Sequence, residues 1–183
     1  MAIANEWTDP DEIEAVATEE ARSADFNAAL GNLLFLHRVP QVAVRLLDRQ
    51  EVASGSDHVI LWDEATWQQG SMWDDASPGV IVIPRGGTYY FNFAALWDGV
   101  PEDASKRALF LEVNGTNRRR GIQVPAVNPS EIIFTGETSL AEGDYVEISC
   151  RQLSGDPLDL RPRRTVGTVR WSAPFVVDED DES

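Results

Sequence analysis

The sequence predicts an all-β protein, an antiparallel sandwich or barrel, with a short N-terminal α-helical extension. Two observations carry this reading. From Pro40 onward, short alternating apolar runs recur between turn-forming clusters, and no helical periodicity separates them. Successive strands without crossover helices pair antiparallel. Before Pro40 the period is helical: Phe26, Leu30, Leu33 and His37 follow at spacings of 4, 3 and 4.

In chain order, Thr8 or Asp9 can cap a first helical piece, with Pro10 in its first turn and Asp11, Glu12 and Glu14 at the positive end of its dipole. A second helix is expected over about 24–36, with Ser23 as cap and Ala29 and Leu36 widening the stripe. A helix of roughly 13 residues is marginal alone. Its apolar side (Phe26, Leu30, Leu33, Leu36) must therefore dock on its own domain, a sister subunit or a larger assembly. Strands are expected at 41–47, 58–62, 80–83, 88–97, 108–113, 121–124, 131–134, 144–151 and 168–177. Between them lie turn sequences such as Arg85-Gly86-Gly87, Asn114-Gly115 and Glu142-Gly143-Asp144. Within 88–97, Tyr89, Phe91, Phe93 and Ala95 share one face, and Tyr90, Ala94 and Leu96 share the other. A strand apolar on both sides is covered on both sides. The second cover is most simply another subunit; a loop or the N-terminal helix is the alternative.

Composition excludes several classes. Of 183 residues, 43% are hydrophobic and 25% charged, which suits a folded domain and not a disordered chain. Fifteen basic against 31 acidic residues give −16, the wrong sign for nucleic acid as main partner. The charge sits at the ends. Residues 1–36 hold −7 and 178–182 hold −5, which leaves −4 for 37–177. The run 178–182 reads as a solvated tail or as the counter-charge of a basic patch on a neighbouring subunit, such as Arg118, Arg119 and Arg120, or Arg161, Arg163 and Arg164. Cys150 is the single cysteine, so an intrachain disulfide is excluded. The opening residues lack the basic and apolar regions of a secretory signal, and no apolar run approaches bilayer length. The expectation is folding in a reducing cytosol without a membrane partner.

No catalytic constellation can be assembled, and no enzyme, metal or cofactor is expected. His37 closes a helix and His58 opens a strand, both positions that suit structure. Cys150 follows the apolar pattern of Val146 and Ile148. Trp73-Asp74-Asp75 and Asp98 lack the ligand spacing of a calcium loop. Asn114-Gly115-Thr116 matches a glycosylation acceptor but reads better as a hairpin turn. For binding, Trp62, Trp67, Trp73 and Trp97 stand at strand ends or in a polar stretch, where exposed indoles stack on carbohydrate or else seal the sandwich. Arg118, Arg119 and Arg120 suit an anionic wall polymer or an acidic partner.

Four segments resemble a known family. Gly87-Thr88-Tyr89-Tyr90-Phe91 is similar to the Gly-x-Tyr-x-Phe strand of tumour-necrosis-factor-like and complement-type jelly rolls. Leu111-Glu112-Val113-Asn114-Gly115 resembles their strand and Asn-Gly turn. Leu140-Ala141-Glu142-Gly143-Asp144-Tyr145-Val146-Glu147 resembles their "leucine … glycine-aspartate … valine" strand, and 171–177 their last strand. Ser23-Ala24-Asp25-Phe26-Asn27-Ala28-Ala29-Leu30-Gly31-Asn32-Leu33-Leu34-Phe35-Leu36 ahead of such a head resembles the "alanine … asparagine … leucine" helical segment of small virion proteins of tailed phages infecting actinobacteria. The resemblance implies a jelly-roll head over 38–177, an attachment segment at 1–37 and an acidic tail at 178–183. It implies a homotrimer on the virion surface, as a minor tail protein or a capsid decoration protein; a free lectin is the other candidate. Tyr89, Tyr90, Phe91, Phe93 and Trp171 would form the trimer interface. The implied partners are the chain itself, other virion proteins and cell-wall polysaccharide.

Overall fold

The computed structural model describes residues 19–36, 38–98, 106–125 and 131–174, with the side chains of 19–25, 36 and 117–125 excepted. Two units, Met1–Val39 and Pro40–Ser183, make up the chain. In the first, helix α1 runs over Glu19–Leu36. It begins before the expected Ser23 cap because Glu19, Glu20, Ala21 and Arg22 are all good helix formers that extend it by a turn. Phe26, Leu30 and Leu33 are exposed on it. The first helical piece, His37 and the acidic tail lie outside the described residues.

The second unit holds twelve strands among the described residues: β1 (Gln41–Arg45), β2 (Gln50–Val52), β3 (His58–Val59), β4 (Glu64–Gln69), β5 (Val80–Val82), β6 (Gly87–Leu96), β7 (Lys106–Val113), β8 (Thr116–Pro125), β9 (Glu131–Leu140), β10 (Tyr145–Gln152), β11 (Leu158–Leu160) and β12 (Val166–Ala173). Five form one sheet in the order β4-β1-β12-β6-β9. A second sheet has the order β3-β10-β7-β8, with β5 also on β10, and β11 pairs with β2. The strand ladders are antiparallel.

The core lies between the two main sheets. From the first come Val42, Val44, Tyr89, Phe91, Phe93, Ala95, Val169, Trp171, Ile132 and Phe134; from the second come Leu109, Leu111, Val146, Ile148 and Cys150. Each set occupies alternate positions on its strand, as the pleat requires. Glycines fit two rings into this layer. Gly167 on β12 pairs with Phe93, and a Cβ there would overlap the Phe93 ring. Gly87 has φ +149°, and a Cβ there would strike the Trp171 indole, whose Nε1–H donates to Gly86 O at 3.3 Å.

At the end where β9 turns into β10, Asn114 joins two hairpins. Its Nδ2 donates to Asp144 Oδ1 at 2.7 Å, and its Oδ1 accepts the Tyr145 N–H at 2.9 Å. Asn114 itself has φ +53°, which Asn tolerates in a turn.

Gly167→Ala is expected to cost about 1–3 kcal/mol through overpacking against Phe93. A lowered urea midpoint with an unchanged slope checks this. An unchanged midpoint contradicts the close approach of β12 to that ring.

Candidate functional site

The outward face of the five-stranded sheet is built by register. Three rows of residues cross it. One runs Glu64, Arg45, Val166, Ala94, Ile133; the next runs Trp67, Ala43, Thr168, Asn92, Thr135; the third runs Gln69, Gln41, Arg170, Tyr90, Glu137. Large apolar groups stay open to solvent on it: Ile133 (55%), Trp67 (49%), Tyr90 (40%) and Val166 (39%). The middle row carries no charge. Charges border it, with Arg45 Nη2 on Glu64 Oε2 at 2.6 Å. Toward the end of β6 the face closes over, because Arg161 N–H donates to Leu96 O at 2.8 Å and Leu96 N–H to Thr165 Oγ1 at 3.4 Å. Leu96 is buried there by its own chain.

The expected interface residues divide between the two faces. Tyr89, Phe91, Phe93 and Trp171 are buried inside the protomer, so their side chains are core and cannot meet a partner. The correction follows from the pleat: this face of β6 looks at the second sheet, where Phe91 lies 6.4 Å from Phe93 and Phe93 6.1 Å from Trp62. Tyr89 O–H donates to Arg85 O at 2.7 Å, and burial pushes its pKa up. Tyr90 alone of the five stands on the outward face.

The four tryptophans are not brought together. Trp62 and Trp97 are fully buried, which corrects their reading as binding residues. Trp73 is half-buried; its Nε1–H donates to Pro78 O at 3.1 Å, and Gln68 brackets its backbone. Trp67 remains the exposed indole among them. Arg118, Arg119 and Arg120 lie on β8. Asp74 accepts the Ser77 N–H at 3.0 Å, and Asp98 is held by Arg49 and Arg161. His58 is paired in register with Cys150. Burial lowers the pKa of His58 and raises that of the sealed Cys150 thiol, so this pair offers no thiolate nucleophile.

Two charged features escaped sequence reasoning. Arg107 is fully buried, its guanidinium 5.5 Å from the Trp97 ring centroid, and none of its nitrogens has a hydrogen-bond acceptor. Burial lowers its pKa. Lys106 and Arg107 stand just ahead of the strand expected at 108–113, and no residue type signalled an inward arginine. On the outside of the second sheet, Glu147 of β10 stands opposite Glu112 of β7. Ser149 Oγ–H donates to Glu112 Oε1 at 2.6 Å. Partial burial, and then the Glu112 charge, raise the Glu147 pKa.

With this topology in place, solved structures assign the fold. The chain is a jelly roll similar to tumour-necrosis-factor and complement heads. Murine APRIL at pH 5.0 superposes with a TM-score of 0.55 at 14% identity, over 73% of this chain and 99% of that one. The globular domain of zebrafish complement 1qA gives a TM-score of 0.50 at 13% identity, over 75% and 99%. No family model and no curated protein matches the sequence. At such identities the jelly-roll likeness carries the fold.

Because the Glu147 pKa is raised on folding, the native state binds this proton more tightly than the unfolded chain, and its contribution to stability is lost as pH rises through the folded pKa. Glu147→Gln should therefore raise the melting midpoint at pH 7, by about 1–3 °C for a relief on the order of 0.5–1 kcal/mol. At pH 4 the gain should shrink. A midpoint lowered at pH 7 contradicts the repulsion.

Proposed function

We propose that this protein is a non-enzymatic homotrimeric jelly-roll head, carried on the virion of a tailed phage as a minor tail protein. Self-association is supported by one observation above the rest: the outward face of the sheet β4-β1-β12-β6-β9 exposes Trp67, Tyr90, Ile133 and Val166 around small residues, Ala43 and Ala94, that let a facing surface approach. Isolated apolar side chains on a surface need no explanation, but four on one sheet face with an uncharged middle row mark an interaction site. Burying their exposed parts at roughly 25 cal/mol per Å² supplies on the order of several kcal/mol per protomer. This is comparable to the cost of association, so the polar rows must also fit. Three copies follow from the family resemblance in the sequence.

The virion role rests on the resemblance of the helical segment plus head, and on the exposed Phe26, Leu30 and Leu33 of α1, which suit attachment to a larger particle. A capsid decoration protein would use the same trimer at a different place and copy number. Trp67, exposed on an edge strand, favours carbohydrate contact as a second activity of the same face.

Sedimentation at micromolar concentration should give about three times 20.3 kDa. Ile133→Glu should weaken association by tenfold or more, at roughly 1.4 kcal/mol per decade, with an unchanged circular dichroism spectrum. A monomeric parent chain, or an Ile133→Glu trimer as tight as the parent, overturns the reading.

A further inference from the structure

We propose that a cavity on the outward face of the second sheet binds a carboxylate carried on a small apolar or sugar-ring body. The cavity measures about 60 Å³ and is lined by Lys106, Arg107, Ala108 and Phe110 of β7, Arg151 of β10 and Leu153 just after it. Register explains its position. Arg151 pairs with Ala108, and the Leu153 N–H donates to Lys106 O at 3.1 Å. Lys106, Ala108 and Phe110 are alternate residues, so their side chains leave the same side of β7, with Arg151 and Leu153 across from two of them. Ala108 has the smallest side chain of the six, and it is buried although it faces outward. Its larger neighbours therefore rise around it as walls, and Ala108 is the floor.

The polar groups of this cavity are cationic. Arg151 Nε–H donates to Asp57 Oδ1 at 2.6 Å, which orients the guanidinium and leaves its two Nη groups without an acceptor among the described residues. Lys106 is exposed and makes no ion pair among them. Arg107 adds a third positive charge from behind. The pleat turns its side chain into the sandwich, where it is fully buried and its guanidinium nitrogens have no acceptor. A buried charge without a counter-ion is weakly screened, so its field reaches the cavity through the sheet. The acidic pair of this face is remote: Glu112 and Glu147 stand opposite each other four residues farther along β7, about 13 Å away at roughly 3.3 Å per residue. That exceeds the Debye length of roughly 8 Å at physiological salt.

The donor set selects the anion. Two Nη groups in one plane match the two oxygens of a carboxylate, and Lys106 adds a point charge. Phe110 and Leu153 offer no side-chain donor, so they suit the carbon body of a ligand and not the further oxygens of a phosphate. The volume, several times that needed for one water, admits a carboxylate head and leaves the body on the rim. This face lies on the opposite side of the sandwich from Trp67, Tyr90, Ile133 and Val166, so self-association through those residues leaves the cavity open.

Titration of the full chain with butyrate and with D-glucuronate tests this, read by the amide chemical shifts of Lys106, Phe110 and Arg151. At least one acid should bind and shift these amides, and the tighter of the two tells a free apolar acid from a uronic acid. Butyramide and glucose, the neutral counterparts, should shift none of them at the same concentration. Lys106→Gln, a change at an exposed side chain, should weaken binding about three-fold or more. Arg151→Gln should weaken it about tenfold or more. Ala108→Leu keeps every charge but fills the floor, and should abolish binding. Salt at about 1 M should weaken it as well. No shift with either acid overturns the proposal, as does binding unchanged in Lys106→Gln or in Ala108→Leu. Inorganic phosphate bound as tightly as the tighter acid overturns the choice of a carboxylate.

Discussion

The fit of the β6 aromatics between the two sheets is the constraint on which the rest of the structure depends. Tyr89, Phe91 and Phe93 fill the core from one strand, and the room for them comes from neighbours: Gly167 gives way to the Phe93 ring and Gly87 to the Trp171 indole. Once these rings point inward, the pleat leaves no choice for the alternate residues. Tyr90, Asn92 and Ala94 must face outward, and they set the character of the exposed sheet. A single register choice on β6 thus decides both the core and the candidate interface.

Much of this was legible in the residues. The alternation of Val42 with Val44, and of Val146, Ile148 and Cys150, places β1 and β10 with their inward faces correct. The antiparallel sandwich followed from alternating apolar runs parted by turn clusters, with no helical period between them. Which side of β6 is core was not legible from aromatic content, because both sides carry rings. The signal was Asn92, a polar residue at the middle of the outward set, against an uninterrupted Tyr89, Phe91, Phe93 and Ala95. Likewise Gly167, a glycine in a strand interior, marks close approach of a ring. β4 was missed because Glu64–Gln69 is polar and sits at a sheet edge, where apolar alternation is not required. β2 and β11 are three-residue strands, too short for any period to show.

The tryptophans show why local context misleads. Trp62 and Trp97 sit at strand ends beside Asp63 and Asp98, which reads as exposure, yet both are sealed inside the sandwich. Their charged neighbours are absorbed by specific partners: Asp63 Oδ2 accepts the Leu47 and Asp48 N–H groups at 2.7 and 3.1 Å, and Arg49 holds Asp98. Arg107 is the counterpart, a cation drawn into the apolar layer, where desolvation opposes it and the Trp97 ring face offsets part of that cost.

Neighbouring tyrosines on opposite faces of one strand provide the most direct test. Hydroxyl-radical footprinting should leave Tyr89 unmodified at every protein concentration. Tyr90 should be modified readily in dilute solution and become protected as the protein associates. Modification of Tyr89 in the folded chain, or a Tyr90 that reacts equally in dilute and concentrated protein, would contradict the assignment of the outward sheet as the self-association face.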